Sequence, residues 1–159
     1  MNIIIPEIDQ VFTKGDLINL QACLDDAEHT TDRLFEREQK KTGAKRTRDN
    51  IYEDTLRGLI MEHFILQLNS NDICKKATDL NPNDIYHDIV EVATGVIHEC
   101  KTKETLKENM LEDYRVQSDI HKILNQGWNH SNYLHICDYI NGIYIYKGFI
   151  MLREEAHPE

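Results

Sequence analysis

Two carboxylates and one amine lie close together in one stretch of this chain. Ten residues separate Asp88 from Glu99, and Lys101 follows Glu99 after a single intervening residue. On an extended strand side chains alternate between the two faces, so Glu99 and Lys101 would share a face. Carboxylate oxygens suit Mg²⁺ or Mn²⁺, and an amine can orient a water molecule or stabilise the charge of a reacting phosphate. These residues therefore predict metal-dependent hydrolysis of a phosphodiester.

A β-hairpin is the element that would bring the three side chains together. Residues 85–92 and 96–101 have the short apolar alternation of strands, and the turn between them contains glycine. If the turn centres on Thr94, Asp88 lies opposite Cys100. Its carboxylate would then be within reach of the other two groups.

Periodicity predicts further elements on both sides of this hairpin. Helices are expected over residues 16–40, 49–68 and 104–125, and Asp49 or Asn50 is the expected N-cap of the second. Besides the hairpin, a weak strand is expected over 72–79 and a strand pair over 133–140 and 143–152. The Asn-Gly turn within that pair is a strong hairpin signal. The order predicts one α/β (α+β) domain.

At Asp88 and at Glu99-Cys100-Lys101 the sequence resembles the PD-(D/E)XK nuclease superfamily, whose mark is an acidic residue on one strand and E-x-K on the next. The family's core order of helix, three strands, helix and strand is similar to the predicted order. The resemblance implies a restriction endonuclease-like core of about 49–152, with a central mixed sheet flanked by helices. Residues 1–48 would be an N-terminal helical elaboration. The literal Pro-Asp pair of the family is absent, because asparagine follows Pro82.

The resemblance also implies roles for individual residues. Asp88 and Glu99 would be metal ligands, Lys101 the catalytic lysine, and the backbone carbonyl of Cys100 a further ligand. The metal would be Mg²⁺ or Mn²⁺. Small type II restriction endonucleases, which the chain resembles in size, act as homodimers, and phage-type junction resolvases are a similar match.

Some members of the superfamily add a glutamate from the helix that precedes the strands. Glu53 and Glu62 both have a suitable position on the second predicted helix. Glu53 is the preferred candidate because it borders the apolar face that must pack on the sheet. It also stands at capping-box distance from Asn50, which gives it a purely structural alternative.

Charge argues against a protein that surrounds a polyanion. The formal net charge is −10, whereas Lys and Arg normally dominate affinity for nucleic acid. Lys45, Arg46 and Arg48 nevertheless form a local basic cluster, and bound divalent cations would offset the carboxylates of a metal site. The cluster is a candidate DNA contact, with a solvated loop as the alternative.

Composition excludes several other classes. No apolar run approaches the roughly 20 residues that span a bilayer, and the N-terminal residues do not resemble a signal peptide. The four cysteines are widely spaced without a C-x-x-C pair, which argues against a disulfide framework and a structural zinc site. A cytoplasmic protein with no membrane partner is expected.

Three hypotheses for function follow. The first is a Mg²⁺-dependent endodeoxyribonuclease, such as a site-specific restriction-type enzyme. It would cut duplex DNA as a homodimer, because duplex cleavage needs two active sites related by a two-fold axis. The second is a resolvase for Holliday junctions or other branched DNA. The third, from another class, is a non-catalytic acidic protein that binds or inhibits another protein. RNA cleavage stays open.

Overall fold

The structure is a computed structural model that describes residues 2–83, 88–103 and 132–151, apart from the side chains of Lys103 and Asn132. Within these ranges it contains six strands and three α-helices. In chain order they are β1 (Val11–Phe12), α1 (Leu20–Gln39), α2 (Arg48–Gln67), β2 (Cys74–Lys76), α3 (Ala77–Leu80), β3 (Ile89–Glu91), β4 (Ile97–Lys103), β5 (Asn132–Ile140) and β6 (Ile143–Met151).

The strands form one mixed sheet in the order β1-β6-β5-β4-β3-β2. β4 and β5 run parallel, and the other neighbouring pairs are antiparallel. A parallel pair requires a long crossover connection, usually a helix. The helix predicted over 104–125 falls in that connection, which lies outside the described residues. The mixed α+β class agrees with the prediction.

The two long helices pack against each other and cover one face of the sheet. α1 buries Cys23, Ala27 and Thr31, while α2 contributes Met61 and Phe64 to the main core. None of the described helices is long and apolar enough to cross a bilayer.

Two helix starts differ from the prediction. α1 begins at Leu20 rather than near residue 16, because residues 14–16 form a separate 3-10 turn capped by Thr13. α2 begins at Arg48, and its N-cap is Thr47 rather than Asp49 or Asn50. The Thr47 hydroxyl accepts a hydrogen bond of 3.2 Å from the Asn50 N–H, which satisfies a donor that the first turn leaves open.

Two strands are shorter than predicted, and one was not predicted. Over residues 72–79 only Cys74–Lys76 is extended, and the chain then enters α3. Over residues 85–92 the strand covers Ile89–Glu91, while 84–87 lie outside the described residues. β1 has only two residues, too few for a periodic signal.

The second hairpin confirms its prediction. Asn141 and Gly142 join β5 to β6 with positive φ angles of 48° and 84°. Two consecutive positive φ angles are the mark of a type I′ turn, which matches the twist of the flanking strands.

The register of the first hairpin is shifted by one residue from the prediction. Ile89 pairs with His98 and Val90 with Ile97, so the loop contains four residues, 92–95, instead of three. Hydrogen bonds of 2.8 Å from Glu91 N to Val96 O and from Gly95 N to Glu91 O close it. Continued by one position, this register places Asp88 beside Glu99 rather than Cys100.

Candidate active site

Asp88 occupies the edge of β4 at the point where β3 begins. Its carbonyl accepts a hydrogen bond of 2.9 Å from Ala77 N, and its carboxylate Oδ2 accepts one of 2.8 Å from Cys100 N. The pairing of β3 with β4 runs only to Ile89 opposite His98, and β4 continues past that point. The Asp88 side chain therefore takes the place of a strand neighbour for Cys100.

Glu99 and Lys101 project from the face of β4 that points away from the helices. On the other face, Cys100 belongs to the main core and the Thr102 hydroxyl lies 3.5 Å from the Met61 sulfur of α2. Alternation along the strand then assigns Glu99 and Lys101 to the opposite face. Glu99 is buried and Lys101 is half-buried. The Asp88 carboxylate thus lies at the backbone edge of β4, at the residue between Glu99 and Lys101.

The backbone carbonyl of Cys100 belongs to the same edge. In an extended strand the N–H and C=O of one residue point to the same side, and the N–H of Cys100 points to Asp88. Burial, followed by the nearby Asp88 and Glu62 carboxylates, raises the pKa of the Cys100 thiol well above its ordinary value. The thiol therefore stays protonated, and the carbonyl is the ligand this residue has to offer.

Glu62, rather than Glu53, shares a cavity with Asp88. Glu62 is buried on α2, and both residues line a cavity of about 300 Å³. Glu53 lies nine residues earlier on α2, which is about 13 Å along the helix axis. It is exposed and lines a separate cavity of about 720 Å³ beside Arg57 and Tyr139. The preference for Glu53 is corrected, because the face of α2 that meets Asp88 carries Glu62.

An ammonium group bridges two carboxylates in the cavity of Asp88. Lys76 Nζ lies 3.0 Å from Glu62 Oε1 and also forms an ion pair with Asp26 of α1. His63 Nε2 lies 2.9 Å from Asp26 Oδ2. Burial opposes the charge on Lys76, but the two carboxylates outweigh it and raise the pKa of the amine. Lys76 is therefore charged.

The pKa values of the two carboxyl groups bound to Lys76 shift in opposite directions. Burial disfavours ionisation of Asp26, but hydrogen bonds from His63 and Lys76 lower its pKa to about 2. For Glu62, burial is the largest cause and raises the pKa; Lys76 opposes this, and the Asp88 carboxylate adds to it. Asp26 thus carries the negative charge that balances Lys76.

The predicted DNA contacts have partners within the chain. Lys45 Nζ donates to Gln39 O at 3.0 Å. Arg46 forms an ion pair with Asp54. Arg48 NH2 lies 2.8 Å from Glu28 and 2.6 Å from Asp32, so it ties the start of α2 to α1. The basic cluster joins the two helices, and carboxylates neutralise both of its arginines.

A separate row of polar groups is buried under the helices. Glu91 Oε2 lies 2.9 Å from His98 Nε2, and His98 Nδ1 lies 2.8 Å from His135 Nε2. His135 Nδ1 lies 2.8 Å from the Tyr146 hydroxyl. Each bond has one donor when the Glu91 carboxylate is ionised and both histidines are neutral. The row therefore packs as a structural network.

The donors near Asp88 suit a hard cation. Within the described ranges, no three His, Cys, Asp or Glu side chains converge closely enough to hold a metal ion by themselves. The Asp88 carboxylate and the Cys100 carbonyl at the edge of β4, and the Glu99 carboxylate of the same strand, are oxygen donors, which Mg²⁺ and Mn²⁺ prefer. These donors fit a cation whose remaining coordination positions are filled by water and substrate oxygens.

Sequence reasoning missed the residues that complete the cavity. Asp26, His29 and Arg33 lie on one face of α1, and Lys76 comes from the short strand β2. The available signal in the sequence was a polar stripe beside the apolar face of α1, with residues three and four positions apart.

No family model, curated protein or solved structure matches the chain.

Proposed function

We propose that the chain is a Mg²⁺- or Mn²⁺-dependent endodeoxyribonuclease that hydrolyses duplex DNA, with a restriction endonuclease-like core. The observation that carries the proposal is the hydrogen bond of 2.8 Å between the Asp88 carboxylate and the backbone N–H of Cys100. It brings one acidic side chain to the middle of the Glu99-Cys100-Lys101 stretch from a separate strand.

Three groups would hold the divalent ion. They are the carboxylates of Asp88 and Glu99 and the backbone carbonyl of Cys100, while Glu62 lines the cavity of Asp88 from the helix side. When bound, the ion supplies a Lewis acid for the phosphate and lowers the pKa of a water molecule. These are hard ligands with a net negative charge, which is what such an ion requires.

The chain's own residues would hold the catalytic groups in place and neutralise charge on the reacting phosphate. The Cys100 N–H fixes the Asp88 carboxylate in one orientation, and such fixed geometry lowers the reorganisation needed for the reaction. The Lys101 ammonium would neutralise charge on the reacting phosphate from the neighbouring face of β4. Its half-buried position keeps the amine near the strand while leaving part of it accessible.

The order of elements also supports the proposal. α2, the antiparallel strands β2, β3 and β4, a long connection and the parallel strand β5 follow one another along the chain. This is the order of helix, three strands, crossover and strand that characterises the nuclease core. α1, β1 and β6 would then be additions to it, and a homodimer would supply the second active site for duplex cleavage.

A plasmid-nicking assay tests the proposal. Wild-type protein is incubated with supercoiled plasmid and Mg²⁺, Mn²⁺ or EDTA, alongside the variants Asp88→Asn, Glu99→Gln and Lys101→Met. We expect nicking that requires the metal and falls at least 100-fold in each variant. Glu62→Gln should lose at least tenfold, whereas Glu53→Gln, the matched control on the same helix, should keep wild-type activity.

Two outcomes would redirect the proposal. Preferential cleavage of a four-way junction over linear duplex would identify a resolvase. Absence of metal-dependent cleavage with duplex, junction and RNA would rule out the nuclease.

The non-catalytic alternative is favoured by the charges of the chain. Arg46 and Arg48 are already paired with carboxylates, and the net charge is −10.

A further inference from the structure

One face of α1 forms a wall of the cavity that contains Asp88. Asp26, His29, Thr30 and Arg33 line it from positions three, four and seven apart on the helix. Glu62 and Asp88 lie on the other walls. The N-terminal helix therefore belongs to the site and is more than an addition to the outside of the core.

Arg33 differs from Lys76, which lines the same cavity. Lys76 is held between Asp26 and Glu62. The Nε atom of Arg33, by contrast, is buried and has no hydrogen-bond partner within residues 2–83, 88–103 and 132–151. A buried donor without an acceptor costs free energy. Within the described ranges the chain leaves this guanidinium nitrogen without a partner, and the part of Arg33 that lines the cavity is open to a bound anion.

The cavity has the size and the donors for a phosphate group. Its volume of about 300 Å³ compares with about 30 Å³ for one water molecule in the liquid, so a phosphate fits together with several waters. A guanidinium offers a planar fork of N–H donors that matches two phosphate oxygens. His29 is exposed on the same wall one turn earlier and adds a second nitrogen donor.

The acidic residues of the cavity do not cancel this attraction. Asp26 is paired with both Lys76 and His63, so its charge is already balanced within the chain. Asp88 accepts from a backbone N–H and lines the same cavity as Arg33. A phosphate bound at Arg33 would therefore share a cavity with the proposed reaction centre.

We infer that α1 supplies a phosphate-binding subsite, in which Arg33, assisted by His29, binds a backbone phosphate of the nucleic acid next to the scissile one. This inference rests on the proposed function for its substrate. It assigns the first helix a role in holding DNA close to Asp88. The basic cluster at 45–48 then serves mainly to hold α1 against α2.

Isothermal titration with inorganic phosphate tests the subsite without relying on cleavage. The variants are Arg33→Gln and, as a control with the same change of charge, Arg37→Gln, at an exposed arginine of the same helix. We expect wild type and Arg37→Gln to bind phosphate equally and Arg33→Gln to bind at least tenfold more weakly. Equal binding by the two variants, or no binding by wild type at millimolar phosphate, overturns the inference.

A second measurement uses a fluorescent 20-base-pair duplex and the plasmid-nicking assay. Arg33→Gln should weaken duplex binding and raise the DNA concentration needed for half-maximal nicking, with a smaller effect in Arg37→Gln. Nicking by wild type with identical behaviour of both variants refutes the subsite but leaves the nuclease intact. Phosphate binding lost only in Arg33→Gln, without nicking by any protein, refutes the nuclease but supports the subsite.

Folding of the variants is checked by thermal unfolding. Should Arg33→Gln fail to fold, Arg33→Lys replaces it, because lysine keeps the charge but has no fork of donors. Weaker phosphate binding by Arg33→Lys than by wild type supports the inference, and unchanged binding contradicts it.

Discussion

The Asp88 carboxylate accepts a hydrogen bond of 2.8 Å from the backbone N–H of Cys100, at the edge of β4 where its pairing with β3 has ended. The side chain thereby satisfies a backbone donor that would otherwise lack a strand partner. It also holds an acidic group next to Glu99 and Lys101, so structure and proposed chemistry depend on the same contact.

Asp88→Ala should lower both stability and nicking activity. Removing the acceptor leaves the Cys100 N–H unpaired, which costs about 1–3 kcal/mol of unfolding free energy. Asp88→Asn keeps an acceptor and should cost less than half as much, while losing the charge that a divalent ion needs. Urea denaturation and the nicking assay measure the two effects. Equal stability of wild type and Asp88→Ala would show that the hydrogen bond contributes nothing.

Lys76→Met should destabilise the fold strongly. Without the amine, Asp26 loses an ion-pair partner and Glu62 loses its 3.0 Å contact inside a largely buried cluster. Removing one partner of a buried pair costs about 3–5 kcal/mol. Lys75→Met, at the preceding position of β2, is the matched control and should cost less than about 1 kcal/mol. Chemical denaturation in EDTA is the measurement, and similar losses in both variants would contradict the bridging role of Lys76.

The buried histidine row should make the protein sensitive to acid. Burial and, second, the neighbouring His98 lower the pKa of His135 from its ordinary value of 6.5 to about 3. The unfolded chain therefore binds the proton more readily than the folded one. Above pH 6.5 the titration of His135 leaves the free energy of unfolding unchanged. As the pH falls from 6.5 towards 3, it lowers the free energy of unfolding by up to about 1.4 kcal/mol per pH unit.

Denaturation at several pH values between 7 and 3.5 checks this dependence. His135→Gln should be less stable at pH 7, because packing is lost, but should show a shallower decline in acid. His29→Gln, at an exposed histidine, should follow the wild-type curve. Parallel curves for wild type and His135→Gln would rule out His135 as the source.

Two glycine substitutions should act in opposite directions. Gly142 has a φ of 84° in the turn between β5 and β6, so Gly142→Ala should cost about 1–2 kcal/mol. Gly58 lies inside α2, and a Cβ there would meet no atom within 4 Å. Gly58→Ala should therefore add up to about 1 kcal/mol through helix propensity. Thermal unfolding measures both, and a stabilising Gly142→Ala would contradict the turn assignment.

Local signals predicted much of the fold. The Asn141-Gly142 turn was predictable because only a few residue types adopt two consecutive positive φ angles. The two long helices followed from apolar periodicity, although their first residues did not. Thr47 rather than a nearby acidic or amide side chain caps α2, and periodicity cannot distinguish between adjacent capping candidates.

Residue types and spacing predicted the order of elements, the shared strand face of Glu99 and Lys101, and the position of Asp88 beside that strand. Only the tertiary structure decided the one-residue hairpin register, the choice of Glu62 over Glu53 and the arrival of Lys76 and Arg33 at the cavity. The physical reason is distance along the chain. Periodicity reports which face of an element is buried, whereas the packing of α1, α2 and β2 determines which side chains from distant segments meet there.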